Sequence, residues 1–310
     1  MCALATESVN ATSATNKLSK VAHKRFERFA TLYPKILVSD APEAIHDLRV
    51  ASRRLQQTLG LILAKPKSST HRKLLRLLRK TRRAFGPCRN LDVSIALVGK
   101  RRDSSTAASM RRAWNALQQW LEQQRTEAIT HGRGKLKRHN LINFISRVQA
   151  RFEDIRDQPQ LTPLLQRAAG ALTAWREALT AAKAEPQLER IHAFRVAGKR
   201  LRYRVESLVE IGDPSVKPLV QELKTLQNEL GDWHDRQVLL QHIAAFVGRP
   251  GFLAEEPGMC RALLLEMERE KQRDKAAVND VLVKAEKLAD EWREIKPAET
   301  NAAEPTIGVQ

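Results

Sequence analysis

The sequence predicts an all-α protein that consists of two helical bundles related by an internal pseudo-twofold repeat. Apolar residues recur at three- and four-residue spacing along most of the 310 residues, and no segment shows convincing strand-like alternation. Two segments about half the chain apart are near copies, since residues 45–55 read IHDLRVASRRL and residues 191–201 read IHAFRVAGKRL. A duplicated set of helices explains both observations.

Glycine and proline residues divide this pattern into predicted helices, because they restrict φ, remove a hydrogen-bond donor or cap a helix. In the first half, helices are predicted at residues 17–38, 42–64, 69–85, 88–102, 107–131 and 136–154, with breaks at Pro34, Pro42, Pro66, Gly86-Pro87 and Gly132/Gly134. In the second half, they are predicted at 161–184, 187–211, 215–230, 232–248 and 258–296, with breaks at Pro159, Pro186, Gly212-Asp213-Pro214, Gly231 and Pro250-Gly251.

The predicted helical domain covers residues 17–296, with a first half at about 17–154 and a second half at about 161–296. Residues 1–16 and 297–310 are predicted to be disordered tails, because small and polar residues dominate them. The repeat extends beyond the matching segments. In each half the following helix ends at Gly86 or Gly231, and a similar pentapeptide then occurs at residues 89–93 (RNLDV) or 234–238 (HDRQV).

Each matching segment places a histidine and two basic residues on one side of a helix. At about 100° per residue, His46, Arg49 and Arg53 project from one face, and Leu48 and Leu55 lie on the opposite face. The second copy has the same arrangement, with His192, Arg195, Lys199 and Arg202 in line, and Arg54, Arg200 and Arg204 flank the two faces. A solvated face is the alternative interpretation, but it would not need histidine in the same register twice.

The helix predicted at 69–85 carries the strongest basic stripe. Its members lie within about 60° of Arg76 on the helical wheel and have no acidic partner at helical spacing: Arg72, Lys73, Arg76, Arg79, Lys80 and Arg83. The equivalent segment of the second half is weaker, with Lys217 and Lys224. The predicted ligand surface is therefore more basic on the first half, unless this stripe is only the solvated face of an amphipathic helix.

The composition favours a polyanionic ligand. Lys and Arg exceed Asp and Glu by 54 − 35 = 19, which predicts salt-sensitive attraction to polyanions. Aromatic residues make up 5% of the chain, which argues against base stacking with single-stranded nucleic acid. Cys2, Cys88 and Cys260 form no CxxC pair, and neither a secretory signal nor a membrane-spanning run is found, so a cytoplasmic location is expected.

The two basic motifs and the two turns that follow them resemble those of CHAD domains, the conserved histidine α-helical domains. The resemblance spans about residues 17–296. It implies two pseudo-symmetric helical bundles around a basic central cavity, and non-catalytic binding of inorganic polyphosphate, in some members on polyphosphate granules. Where CHAD turns usually carry Arg-Asp, this chain has Arg89-Asn90 and His234-Asp235, and Gln237 replaces an acidic residue; we interpret these turns as structural caps.

The resemblance also implies a set of binding residues, with no catalytic residue, metal or cofactor. The first motif supplies His46, Arg49, Arg53 and Arg54, the next helix supplies Arg76, Arg79, Lys80 and Arg83, and the second half supplies His192, Arg195, Lys199, Arg200, Arg202, Tyr203 and Lys224. No membrane association is expected, and weak non-specific nucleic-acid binding is expected beside polyphosphate binding.

Three other functions remain as alternatives. A nucleic-acid backbone binder would have a similar charge distribution, with the basic 132–138 stretch as a phosphate-contacting loop. His46-Asp47 and His234-Asp235 superficially resemble the ligands of HD-type metal-dependent phosphohydrolases, but the repeat partner His192-Ala193 lacks the aspartate. A purely structural scaffold would show no salt-sensitive polyanion binding.

Overall fold

The fold consists of α-helices joined by short connections, which confirms the predicted all-α class. The computed structural model describes residues 2–62, 69–137, 145–146 and 161–295, and no strand occurs within these ranges. The first half contains α1 (Cys2–Val38), α2 (Pro42–Ile62), α3 (Ser69–Ala84), α4 (Gly86–Ser104) and α5 (Ala108–Lys137). The second half contains α6 (Leu161–Ala184), α7 (Leu188–Ile211), α8 (Lys217–Val247), α9 (Phe252–Glu255) and α10 (Pro257–Glu291).

Several helix boundaries lie where glycine and proline predict them. Helix α2 begins at Pro42, and Pro186 lies between α6 and α7. Gly212 caps the C-terminus of α7 with φ of 110°, and its N–H donates to the carbonyl oxygens at the helix end. Gly251, with φ of 79°, precedes α9. Glycine suits both positions because other residues rarely adopt a positive φ.

The predicted breaks at Pro34, Gly132/Gly134 and Gly231 are wrong, because α1, α5 and α8 run through them without interruption. A glycine inside a helix costs only about 1 kcal/mol relative to alanine, which tertiary packing can offset. Near Gly231, for example, Leu230 and Trp233 are both buried. The helices predicted at 215–230 and 232–248 are therefore one helix, α8.

Two further boundaries differ from the prediction. Helix α1 includes residues 2–16, for which a disordered tail was predicted; alanine, with its high helix propensity, recurs in this segment. Helix α10 ends at Glu291, five residues before the predicted end at residue 296. The predicted breaks at Pro66 and Pro159, most of the helix predicted at 136–154 and the tail at 297–310 lie outside the described residues.

Two apolar cores hold the helices together. The larger core buries the apolar faces of both motif helices, including Leu48 and Leu55 of α2 and Phe194 and Leu201 of α7. The smaller core lies around Trp114 and joins α4 and α5 to α8, α9 and α10. The two halves therefore pack directly against each other, with α1 on α7, α4 on α8 and α5 on α10. The pseudo-twofold relation of the halves stays a prediction.

Within the described ranges, every helix is either too short or too polar to cross a bilayer.

Gly132 has a structural role that its neighbour Gly134 lacks. A Cβ atom at position 132 would lie 2.9 Å from a ring carbon of the buried Phe85 and 3.1 Å from the carbonyl oxygen of Ala84, whereas one at position 134 would meet nothing within 4 Å. We expect Gly132→Ala to lower the free energy of unfolding by about 1–3 kcal/mol through overpacking. Gly134→Ala is the matched control and should stabilise α5 by up to about 1 kcal/mol. Urea unfolding measures both, and equal effects of the two substitutions would contradict this account.

Candidate functional site

The site forms where the basic faces of α2 and α7 meet. On each helix the apolar face is fixed in the larger core, since Leu48, Leu55, Phe194 and Leu201 are fully buried. The basic residues of the motifs lie on the other side of each helix and are exposed or half-buried. Burial of one face thus determines the direction of the other.

Arg53 connects the two copies of the motif. Its Nη1 donates a hydrogen bond of 3.3 Å to the Oη of Tyr203, which belongs to the second copy. The positive charge of Arg53 also lowers the pKa of Arg195 and of Lys199, after the larger effect of burial. The cations of residues 45–55 and 191–201 therefore converge, although they are far apart along the chain.

Two further arginines join them. Arg49 donates through Nη1 to the backbone carbonyl of Arg82 on α3. Burial and then Arg53 lower the pKa of Arg82, and Arg89 of α4 lies close enough to affect the pKa of both His46 and Arg49. We call Arg49, Arg53, Arg82, Arg89, Arg195 and Lys199 the interhelical cluster.

Sequence reasoning did not include Arg82 and Arg89 among the binding residues. Arg82 lies outside the basic stripe of its helix, on the side of the apolar residues, where an arginine needs a special environment. That position is the signal that could have identified it. Arg89 belongs to the turn motif that we interpreted as a structural cap, and its proximity to Arg49 became visible only in the fold.

Burial and mutual repulsion both destabilise the protonated forms of the cluster residues. Burial lowers the pKa of Lys199 to about 7, and the charges of Arg195, Arg53 and Arg202 act in the same direction. Burial also lowers the pKa of Arg49 to about 10, assisted by Arg53, Arg82 and Arg89. Both shifts indicate that these groups lack the counter-charge that would stabilise their protonated forms.

Carboxylates do not neutralise the cluster. In the described part of the chain, none of its six members forms an ion pair within 4.0 Å, and the buried Nε of Arg195 has no hydrogen-bond acceptor. Asp235 acts on Arg195 and Lys199 only over a longer distance. Because an unpaired buried charge is unfavourable, a bound anion would stabilise the cluster.

Several other arginines form ion pairs with carboxylates. Arg101 contacts Glu270 at 2.6 Å, and Arg125 contacts Asp92 at 2.5 Å. Two residues of the 234–238 segment also contact Asp274. Arg236 forms an ion pair with it at 2.5 Å, and the side-chain amide of Gln237 donates a hydrogen bond to it at 2.6 Å. The interpretation of these two segments as caps is wrong, because residues 89–93 lie within α4 and residues 234–238 lie in the middle of α8. Their paired residues instead join α4 to α5 and α8 to α10.

The two motif histidines lie beside the cluster and are exposed. Burial and then Arg89 lower the pKa of His46, whereas burial and then His234 lower the pKa of His192. The rings of His192 and His234 are 6.1 Å apart between centroids. Both motif histidines are therefore mainly neutral at pH 7 in the ligand-free protein, and a bound anion would raise their pKa values.

Some of the predicted binding residues lie apart from the cluster or are already neutralised. Arg202 donates to Gln227 at 2.7 Å and pairs with Glu206. Arg54 and Arg200 are exposed on the flanks, and Arg200 lies near Arg204 instead. The remaining predicted residues are exposed on α3 or α8: Arg76, Arg79, Lys80, Arg83 and Lys224.

The phosphohydrolase alternative requires a converging set of metal ligands. Asp47 forms an ion pair of 3.2 Å with Arg28, and His234 contacts Asp235 at 3.3 Å. Within the described ranges, no group of three or more His, Cys, Asp or Glu side chains is placed to hold a metal ion.

The lowered pKa of Lys199 makes stability depend on pH. Between about pH 7 and the ordinary lysine value of 10.5, the unfolded chain retains a proton that folded Lys199 has lost. Stability therefore rises with pH in this window, by at most about 1.4 kcal/mol per pH unit. We expect Lys199→Met to flatten this rise in urea unfolding from pH 7 to pH 9, whereas Lys275→Met, at an exposed site on α10, should not. Parallel curves for wild type and Lys199→Met would refute the lowered pKa of Lys199.

Comparison with known proteins places the chain in a family. No protein with a curated functional description matches it in sequence. The fold resembles the CHAD domain from the plant Ricinus communis, with a TM-score of 0.65, 18% identity, and coverage of 86% of this chain and 91% of that one. It also resembles PptA from Streptomyces chartreusis, with a TM-score of 0.62, 16% identity, and coverage of 86% and 98%. The family model of the CHAD domain matches residues 20–244, so the chain belongs to the CHAD domain family.

Proposed function

We propose that the protein binds inorganic polyphosphate non-covalently through the interhelical cluster, without turning it over. The observation that carries this proposal is the convergence of six cations from both halves of the chain with no carboxylate paired to them in the described structure. A polyanion would supply the missing counter-charge. In this proposal the two motifs line one shared basic cavity, and the protein is located in the cytoplasm on polyphosphate granules.

Polyphosphate fits the chemistry of the cluster. The polymer carries about one negative charge per phosphate unit and has no bases, so its recognition needs cations and little else. The arginine guanidinium binds two phosphate oxygens at once, which suits the five arginines among the six members of the cluster. Binding would release counter-ions from the polymer, so the affinity would fall steeply with salt concentration.

The predicted residues then have graded roles. His46, Arg49, Arg53, His192, Arg195 and Lys199 contact the polymer directly, together with the newly found Arg82 and Arg89. Tyr203 holds Arg53 in place through its hydroxyl, since the two are 3.3 Å apart. The exposed arginines and lysines of the flanks attract the polymer at longer range.

Nucleic-acid binding is the second candidate, and the high net positive charge of the chain favours it. Single-stranded nucleic acids bind by stacking their bases on aromatic side chains. Within the described part of the chain, Tyr203 contacts the cluster through its hydroxyl group, and Arg202 lies over its ring. We therefore assign nucleic-acid binding a weak, non-specific role at the same cations.

Removal of the central cations tests the site. We expect the combined substitution of Arg49, Arg53, Arg195 and Lys199 by alanine to abolish polyphosphate binding while the circular-dichroism signal of the helices is retained, because the substitution relieves repulsion. Any residual binding should depend less on salt, with the slope of log affinity against log salt reduced by about three for four lost contacts. Arg261, Lys275, Lys287 and Arg269 on α10, replaced together, control for net charge. Unchanged affinity in the cluster variant would reject the site.

Competition separates the two candidate ligands. We expect neither duplex DNA nor transfer RNA, at equal phosphate concentration, to displace labelled long-chain polyphosphate from the wild-type protein, because all six cluster residues are half-buried and a polyphosphate chain is thinner than a nucleic-acid helix. Fluorescence anisotropy at several salt concentrations measures the displacement. Displacement with similar potency by either nucleic acid would contradict selective polyphosphate binding.

A further inference from the structure

A second basic feature lies on the outer side of α3. Helices α3 and α5 border an open cleft of about 600 Å³, and four cationic or titratable side chains line it: Lys80, Arg83, His131 and Lys135. Among the residues that the structure describes, no carboxylate lines the cleft. Within the described ranges, none of these four side chains forms an ion pair within 4.0 Å, so the cleft, like the interhelical cluster, lacks an internal counter-charge.

The close approach of the two helices gives the cleft its shape. Gly132 lets α5 come within contact distance of Phe85 and the Ala84 carbonyl, at the C-terminal end of α3. Gly134, two residues further along α5, borders the cleft with open space in front of its Cα. The contact at Gly132 therefore fixes the distance between α3 and α5, and the space beside Gly134 stays open.

Arg82 and Arg79 link the cluster to the cleft. Arg82 belongs to the interhelical cluster, and Arg53, Arg79 and Arg83 all act on it electrostatically. Arg79 is three residues before Arg82 and four before Arg83, so the three side chains are neighbours on the helix surface. Positive charge therefore continues from the cluster, across the C-terminal half of α3, into the cleft.

We propose that the cleft between α3 and α5 extends the polyphosphate site and is filled only by polymers long enough to reach beyond the interhelical cluster. This inference rests on the proposed function and adds a chain-length preference to it. Short polyphosphates contact the cluster alone, whereas long polyphosphates also contact Lys80, Arg83 and Lys135. At the equivalent positions of the second half, Arg202 is paired with Glu206 and Lys224 is exposed.

The test compares two polymer lengths on matched variants. The cleft variant combines Lys80→Ala, Arg83→Ala and Lys135→Ala, and the control variant combines Arg261→Ala, Lys275→Ala and Lys287→Ala on α10, with the same loss of charge. For long-chain polyphosphate, we expect the cleft variant to bind at least about tenfold more weakly, with a salt slope lower by about two for three lost contacts. For tripolyphosphate, its affinity should stay within about twofold of wild type, as should that of the control variant for both ligands.

A second substitution tests the cleft without removing any side chain. Gly134→Glu places a carboxylate in the open space of the cleft and should also weaken long-chain binding, whereas Gly134→Gln should have a smaller effect. Equal affinity of wild type and cleft variant for long chains would overturn the extension while leaving the proposed function intact. A parallel loss of tripolyphosphate affinity would overturn the length preference, because the cleft would then belong to the primary site. If wild type binds neither ligand, the proposed function itself is wrong.

Discussion

The structure depends on the burial of the apolar faces of α2 and α7, because the opposite faces of these helices carry a group of positive charges. Arg49, Arg53, Arg195 and Lys199 repel one another, and nothing in their own chemistry would bring them together. They converge because Leu48, Leu55, Phe194 and Leu201 fix the opposite faces of α2 and α7 in one core. Each fully buried leucine or phenylalanine contributes about 1.5–3 kcal/mol. Hydrophobic burial thus offsets both the desolvation that is the main cause of the lowered Lys199 pKa, at about 7, and the repulsion that adds to it.

The distribution of acidic residues completes this arrangement. Several of them are half-buried or buried in pairs that hold helices together, such as Asp92 with Arg125, Asp274 with Arg236, and Glu270 with Arg101. Each of these pairs joins two different helices. Acidic residues therefore stabilise the framework, and within the described part of the chain none of them forms an ion pair with the interhelical cluster. Asp235 is the acidic residue that acts on Lys199, and it does so without direct contact.

The sequence predicted the all-α class from helical periodicity, and it predicted the convergence of four basic residues from the duplicated motif, whereas their role in binding stays a prediction. The helical spacing of the motifs placed Arg49, Arg53, Arg195 and Lys199 on faces opposite to apolar residues, and the structure brings these four together. Arg82, Arg89 and the pairing of Arg202 with Glu206 were not predicted. They depend on contacts between helices, and periodicity within one helix carries no information on them. The uninterrupted helices at Gly132 and Gly231 were missed for the same reason, since tertiary packing decides whether a glycine ends a helix.

The surroundings of the two motifs differ in charge, although the motifs have the same spacing of basic residues. In the first half, the positive charge continues from Arg53 through Arg82 and Arg79 to the cleft at Arg83. In the second half, the guanidinium of Arg202 is bound by Gln227 and Glu206, and Asp235 reduces the positive field around Lys199. A symmetric polyanion would thus meet an asymmetric field, stronger on the side of α3. Because steering depends on the summed field of exposed charges, a polymer end would be drawn first to α3 and would reach the half-buried cluster from that side.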